Sequence, residues 1–213
     1  MIRLFSRPIP LVLLLAFCTF IPVLMALVRV VQVPTGTWPD DAARLAVAPL
    51  AWTFHAAAGA TFGITGPLQF ALALRRRFGR LHRISGRIFV VAGAVLGLSG
   101  LSLLVQVTPQ GTPVVDIARG VFGLALLAAL GMAMAAIHAR DIPRHRAWVI
   151  RAYAIGMGSG TVALVFFPIY IIKGEPPTGL AADMIFIGWW ACNIGFAEAL
   201  IRYLFPARNR VAA

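Results

Sequence analysis

Thirty consecutive residues, Leu45–Leu74, carry no charged side chain. A helix of that length reaches about 45 Å, more than the roughly 30 Å hydrocarbon core of a bilayer requires. Pro49 and Trp52 mark where a membrane segment would begin, since Pro suits a first helical turn and Trp an interface. Apolar runs recur on both sides, and the expected spans are approximately 9–33, 49–74, 88–107, 117–139, 147–172 and 181–205. The connecting segments are short and rich in Pro, Gly or Arg, as in PTGTWPDDAARL and KGEPPTG. The 213 residues are 60% hydrophobic and 12% charged, whereas a soluble domain is about half apolar and a quarter charged. That balance excludes an ordinary soluble globule, a disordered chain and a disulfide scaffold. The expected fold is an all-α integral membrane protein, a six-helix transmembrane bundle forming a single transmembrane domain over 1–213. The first apolar run is longer than a secretory signal and no A-x-A pattern directly follows it, so it is expected as an uncleaved span.

Arginine sets the expected orientation. Of the 19 Lys+Arg, only Arg29, Arg44, Arg119 and Lys173 fall on the side away from the N-terminus. The other side holds Arg3, Arg7, the segments around 75–87 and 140–146, Arg151, Arg202, Arg208 and Arg210. Acids run the opposite way, with only Asp141 and Glu198 on the arginine-rich side. The positive-inside rule, which holds for short loops, makes that side and both termini cytoplasmic. The expected location is the bacterial inner membrane, as a multi-pass protein. The net charge of +12 lies between apolar runs, so its expected partners are anionic headgroups and not nucleic acid. Arg75, Arg76, Arg77, Arg80, Arg83, Arg87, Arg144 and Arg146 are the candidate headgroup contacts. Cys18 and Cys192 sit inside apolar runs without a CxxC pair and are expected as buried packing residues.

Ionisable and amide groups within a span are costly, so each needs a partner or a purpose. Gln69, Arg151, Asn193, Glu198 and Arg202 form the candidate intramembrane polar cluster. Glu198 and Arg202 are spaced i,i+4 with the acid first, the favourable order, while Arg151 offers a partner from the neighbouring span. His55 heads a stripe with Gly59, Gly63 and Gly66, which share its helix face. Small residues at that spacing admit either a neighbouring helix or a flat cofactor beside the imidazole. Four histidines, His55, His82, His138 and His145, are candidate axial ligands for haem b. The last three fall near the arginine-rich face, so the spacing excludes a four-histidine, two-haem layout and leaves room for one haem on that side. Gly156-Met157-Gly158-Ser159-Gly160 lies inside a span and is a packing point, not a phosphate loop. No Ser/His/Asp elbow, zinc helix or Walker loop accompanies these residues.

The set His55, GPLQF at 66–70, Leu81-His82-Arg83 with Gly86-Arg87, and HRAW at 145–148 with RAYA at 151–154 resembles a bacterial membrane-protein family. That family is known as domain of unknown function (DUF) 2306, and the likeness covers roughly residues 50–170. The resemblance implies a polytopic inner-membrane protein and no particular reaction. It suggests His55, Gln69, His82, Arg83, Arg87, His145, Arg146, Trp148 and Arg151 as pattern residues. Three functions stay open. The first is an accessory protein whose basic face meets anionic lipid, a membrane partner or a second copy. The second is a haem b or quinone-linked redox protein. The third is a small transporter or proton pathway using Glu198, Gln69 and His55.

Overall fold

The computed structural model describes residues 8–38, 40–107 and 112–205. Long apolar runs become helices because a helix satisfies its backbone N–H and C=O groups within the segment. In chain order these are α1 (Pro8–Thr35), a 3-10 turn (Asp40–Ala46), α2 (Pro49–Phe70), α3 (Leu72–Arg77), α4 (Gly79–Gln106), α5 (Pro113–His138), α6 (Ile142–Thr161), α7 (Ala163–Lys173) and α8 (Gly179–Leu204). There is no strand among the described residues. Five helical stretches are long and apolar enough to cross a membrane: α1 from Leu11, α4, α5, α6 with α7, and α8. With 22 residues, α2 is about 33 Å long. Rich in Ala, Gly and Thr, it is not among these five stretches, and it packs between α1 and α4.

Cross-helix contacts fix the directions. His55 meets Ser99 and Gln69 meets Ser85, so α2 and α4 are antiparallel. Gly93 faces Leu130 and Gly123 faces Leu101, which reverses α5 against α4. His145 meets Ala133, and Trp190 meets Ile155, which reverses α6 against α5 and α8 against α6. Val23 on α1 faces Gly63 on α2, while Val33 near the end of α1 belongs to one cluster with Trp52 near the start of α2. The helices thus alternate, and residues 8 and 205 emerge at the same end as Arg75–Arg87. We call this the arginine end. Arg3, Arg7, Arg208 and Arg210 lie outside the described residues.

The segments expected as basic loops are largely helical. Arg75, Arg76 and Arg77 end α3, while Arg80, Arg83 and Arg87 occupy the first turns of α4. Arg144 and Arg146 lie in the first turns of α6, where the side chain of Asp141 caps the helix by accepting from the Arg144 N–H at 3.0 Å. Hydropathy marks where lipid begins, whereas Arg, Leu and Ile are good enough helix formers to carry the helix past that limit. The turn into α6 passes through Arg140 in the left-handed region at φ 60°. The fifth apolar run divides at Val162 into α6 and α7. Thr161 Oγ donates there to Met157 O at 2.9 Å and accepts from Trp189 Nε1 at 2.9 Å.

Packing relies on small residues, as expected where lipid is as apolar as any core and close approach supplies the attraction. Phe62 and Phe89 are fully buried and stack with centroids 4.4 Å apart. The Tyr153 ring lies against Gly66, and Trp190 fills the notch at Gly158, so neither glycine has space for a Cβ. The stripe below His55 is therefore filled by protein side chains, Val23 at Gly63 and Tyr153 at Gly66. A second cluster joins Leu11 of α1 to Ile150 of α6 and Ile201 of α8 at the arginine end. Phe17, Phe20, Val105 and Ile172 are exposed, which an apolar solvent tolerates and water does not. Cys18 is half-buried, and Cys192 is exposed on α8 contrary to expectation, because it faces out of the bundle.

Candidate functional site

The bundle opens into a cavity at the end opposite the arginines. The cavity, of about 280 Å³, is lined by α2, α4, α5, α6, α8 and the 3-10 turn. It runs from Arg44, Val107 and Asp116 toward Leu96, Leu126 and Gly156 in mid-bundle, a depth of about 16 Å along α4. A second cavity of about 210 Å³ reaches α1 and shares His55, Trp52 and Ser159 with the first. His55 therefore stands between the two.

Each polar group here has a local reason to be where it is. Thr112 caps α5 and Pro113 opens it, which places Asp116 in the first turn. Asp116 Oδ1 accepts from Arg119 Nη1 at 2.9 Å, an i,i+3 pair that lets both side chains enter an apolar helix. Asp116 Oδ2 is buried and has no hydrogen-bond partner among the described residues, and the same holds for Trp52 Nε1. Arg119 lies over the Phe186 ring at 5.5 Å, and Arg44 over Trp52 at 5.9 Å. Phe122 and Trp190 stack at 4.3 Å, and Trp190 Nε1 donates to Ile155 O at 2.8 Å, which fixes the aromatic wall. His55 Nδ1 is 3.1 Å from Ser99 Oγ, and Ser99 itself donates to Leu96 O at 3.2 Å. The Trp52 ring stands edge-on to the imidazole at 6.3 Å. Polar groups thus collect at the mouth and beside His55, while the floor is aliphatic and aromatic.

The other histidines sit elsewhere. His82 lies 17 positions before Ser99 on α4, which puts His55 about 25 Å from it along the bundle. His138 is exposed and its Nδ1 engages Met134 O at 2.7 Å. His145 Nδ1 engages Ala133 O at 2.8 Å. His82 Nδ1 is buried without a hydrogen-bond partner among the described residues, and Arg75, Arg83 and His145 are its charged or titratable neighbours. His82 and His145 thus lie within electrostatic range of each other at the arginine end, well away from His55. Among the described residues no group of three or more His, Cys, Asp or Glu is placed to hold a metal ion.

The expected polar cluster resolves into separate pairings. Arg151 Nε and Nη2 both donate to the Glu198 carboxylate, at 2.5 and 3.0 Å, so Glu198 pairs across to α6 and not along its own helix to Arg202, which is exposed. Arg151 also lies over the Trp148 ring at 4.7 Å. Gln69 Nε2 donates to Thr65 O at 3.2 Å and to Ser85 Oγ at 3.1 Å, tying α2 to α4. Asn193 donates to Trp189 O on its own helix at 2.9 Å. Of the candidate headgroup contacts, Arg76, Arg77, Arg80, Arg83, Arg87 and Arg144 are exposed, while Arg75 and Arg146 are half-buried.

Residues Arg44, Trp52, Ser99, Asp116, Arg119 and Trp190 complete the His55 site without having been singled out from sequence as its members. Arg119, a charge within an apolar run beside an acid at i−3, is the one that carried a signal.

A family model described as "Predicted membrane protein (DUF2306)" matches residues 52–201. The chain belongs to this family. The match takes in α8 and Glu198 as well as the motifs from α2 to α6, so it covers both the Arg151–Glu198 pair and most of the cavity lining. DUF2306 membership makes this a membrane protein with several apolar helices and assigns it no reaction. No curated protein and no solved structure matches the chain.

Proposed function

We propose that this DUF2306 protein crosses the bacterial inner membrane six times, with α2 as one of those spans and both termini in the cytoplasm. In that orientation the His55 cavity opens toward the periplasm, and the protein binds a small molecule there. The cavity carries this reading. A bundle packed through glycine notches leaves an opening of about 280 Å³ where a histidine, an ion pair and four aromatic rings converge. An apolar pocket with a few convergent polar groups is the usual form of a ligand site, and ionisable groups at membrane depth are retained for function or for structural pairing. Glu198 is already neutralised by Arg151, so it does not favour a proton pathway.

The arginine end supports a second, compatible role. Five exposed arginines on α3 and α4, namely Arg76, Arg77, Arg80, Arg83 and Arg87, form a basic surface suited to anionic headgroups. A membrane partner or second copy would meet the exposed apolar helix faces.

Cysteine accessibility tests orientation and cavity together. In a chain lacking Cys18 and Cys192, Ser159→Cys is expected to react with a membrane-impermeant maleimide added from the periplasmic side. Arg77→Cys is expected to react only after permeabilisation. Labelling of Ser159→Cys only after unfolding, or of Arg77→Cys from outside, overturns the proposal.

A further inference from the structure

The hydrogen-bonding sense of the His55 site narrows its ligand. Ser99 has one hydroxyl proton, and it goes to Leu96 O at 3.2 Å. With the proton placed there, the Ser99 oxygen accepts from His55, 3.1 Å away, which assigns the imidazole proton to Nδ1. Nε2 is left with a lone pair. Asp116 Oδ2 is a buried acceptor without a donor among the described residues, and Trp52 Nε1 is a buried donor without an acceptor among them. A neutral hydroxyl, which both donates and accepts, suits such a set of groups, because an unpaired buried polar atom is costly. A cationic donor is disfavoured, because Arg119 neutralises Asp116. The walls select the rest of the molecule. The Phe122–Trp190 stack and the aliphatic floor at Leu96 and Leu126 suit an apolar ring.

Resting on the cavity being a ligand site, we propose that it binds a neutral, lipid-soluble aromatic bearing a hydroxyl, a phenol or quinol head, which donates to His55 Nε2. The hydroxyl enters toward the polar side of the cavity and the ring occupies its apolar floor. No electron transfer is part of this proposal.

Two probes of nearly equal shape test it, 2-naphthol and 2-methoxynaphthalene. They differ in the presence of a donor proton. Their dissociation constants would be measured by equilibrium dialysis of the full chain in one detergent, against empty micelles. The naphthol is expected to bind about tenfold tighter than the ether, the worth of one hydrogen bond to an otherwise unpaired acceptor. His55→Asn keeps an amide donor for Ser99 and removes Nε2, so it is expected to abolish that preference while still binding the ether. Ether binding also reports that the variant is folded. Equal binding of the two probes by the wild type, or a preference unchanged in His55→Asn, overturns the hydroxyl proposal and leaves the cavity reading intact. Binding of neither probe above the micelle background overturns the cavity reading, and the proposal with it.

Discussion

Arg151 on α6 grips Glu198 on α8 with two donors, and the two helices run antiparallel past this contact. Their side chains remain 28% and 34% exposed, so the pair is a clamp near the arginine end and not a buried charge relay. Trp148 completes it by covering one face of the guanidinium.

The clamp makes a stability prediction. Glu198→Gln is expected to destabilise the protein by about 1–2 kcal/mol, a modest figure for a partly exposed pair. Thermal unfolding in detergent would measure it. The double variant Arg151→Gln with Glu198→Gln is expected to recover part of the loss, because no unpaired guanidinium remains. A neutral Glu198→Gln would mean that the two helices are held by packing alone.

Glycines divide into two kinds that the same assay separates. A Cβ at Gly66 would enter the Tyr153 ring, whereas at Gly188 it would meet nothing within 4 Å. Gly66→Ala is expected to cost about 1–3 kcal/mol through overpacking. Gly188→Ala is expected to gain up to about 1 kcal/mol from helix propensity. Similar values for both would contradict the close approach of α2 and α6.

Asp183 offers a third measurement. It is buried in the first turns of α8, and its Oδ2 accepts from the Thr112 backbone N–H at 2.7 Å. Asp183→Leu would strand that N–H at a cost of about 1–3 kcal/mol, while Asp183→Asn, which keeps an acceptor oxygen, is expected to cost less. Hydrogen exchange at the Thr112 amide should accelerate in the Leu variant. Unchanged exchange would show that Asp183 does not anchor the start of α5.

Headgroup contact at the arginine end is checked by retained lipid. Replacing Arg77, Arg80, Arg83 and Arg87 together with Gln is expected to weaken anionic lipid binding by about 1 kcal/mol per residue removed. Native mass spectrometry of the protein extracted with a mixed anionic and zwitterionic lipid would report the anionic fraction. A fraction equal to that of the wild type would remove the second role.

The helical architecture was legible because hydropathy writes it plainly: runs such as Ile117–Ala139 and Ala181–Phe205 leave a helix as the economical way to satisfy their backbones. Helix ends were less so. Residues 79–87 are basic and were expected as loop, yet nothing between Arg80 and Arg87 opposes helix beyond one glycine. The pairing of Glu198 was half legible: an acid in a span demands a cation, but both Arg151 and Arg202 satisfied the spacing, and only the facing of α6 and α8 decides between them. The cavity was the least visible. His55, Asp116 and Trp190 lie on three different helices, and no local pattern announces that their side chains converge. The glycine stripe under His55 was ambiguous for the same reason, since its occupants, Val23 and Tyr153, come from α1 and α6.

The alternation of helix directions has a practical corollary. Since residues 8 and 205 leave the bundle at one end and the His55 cavity lies at the other, an affinity handle joined directly at either of these two residues starts a full helix length away from the mouth.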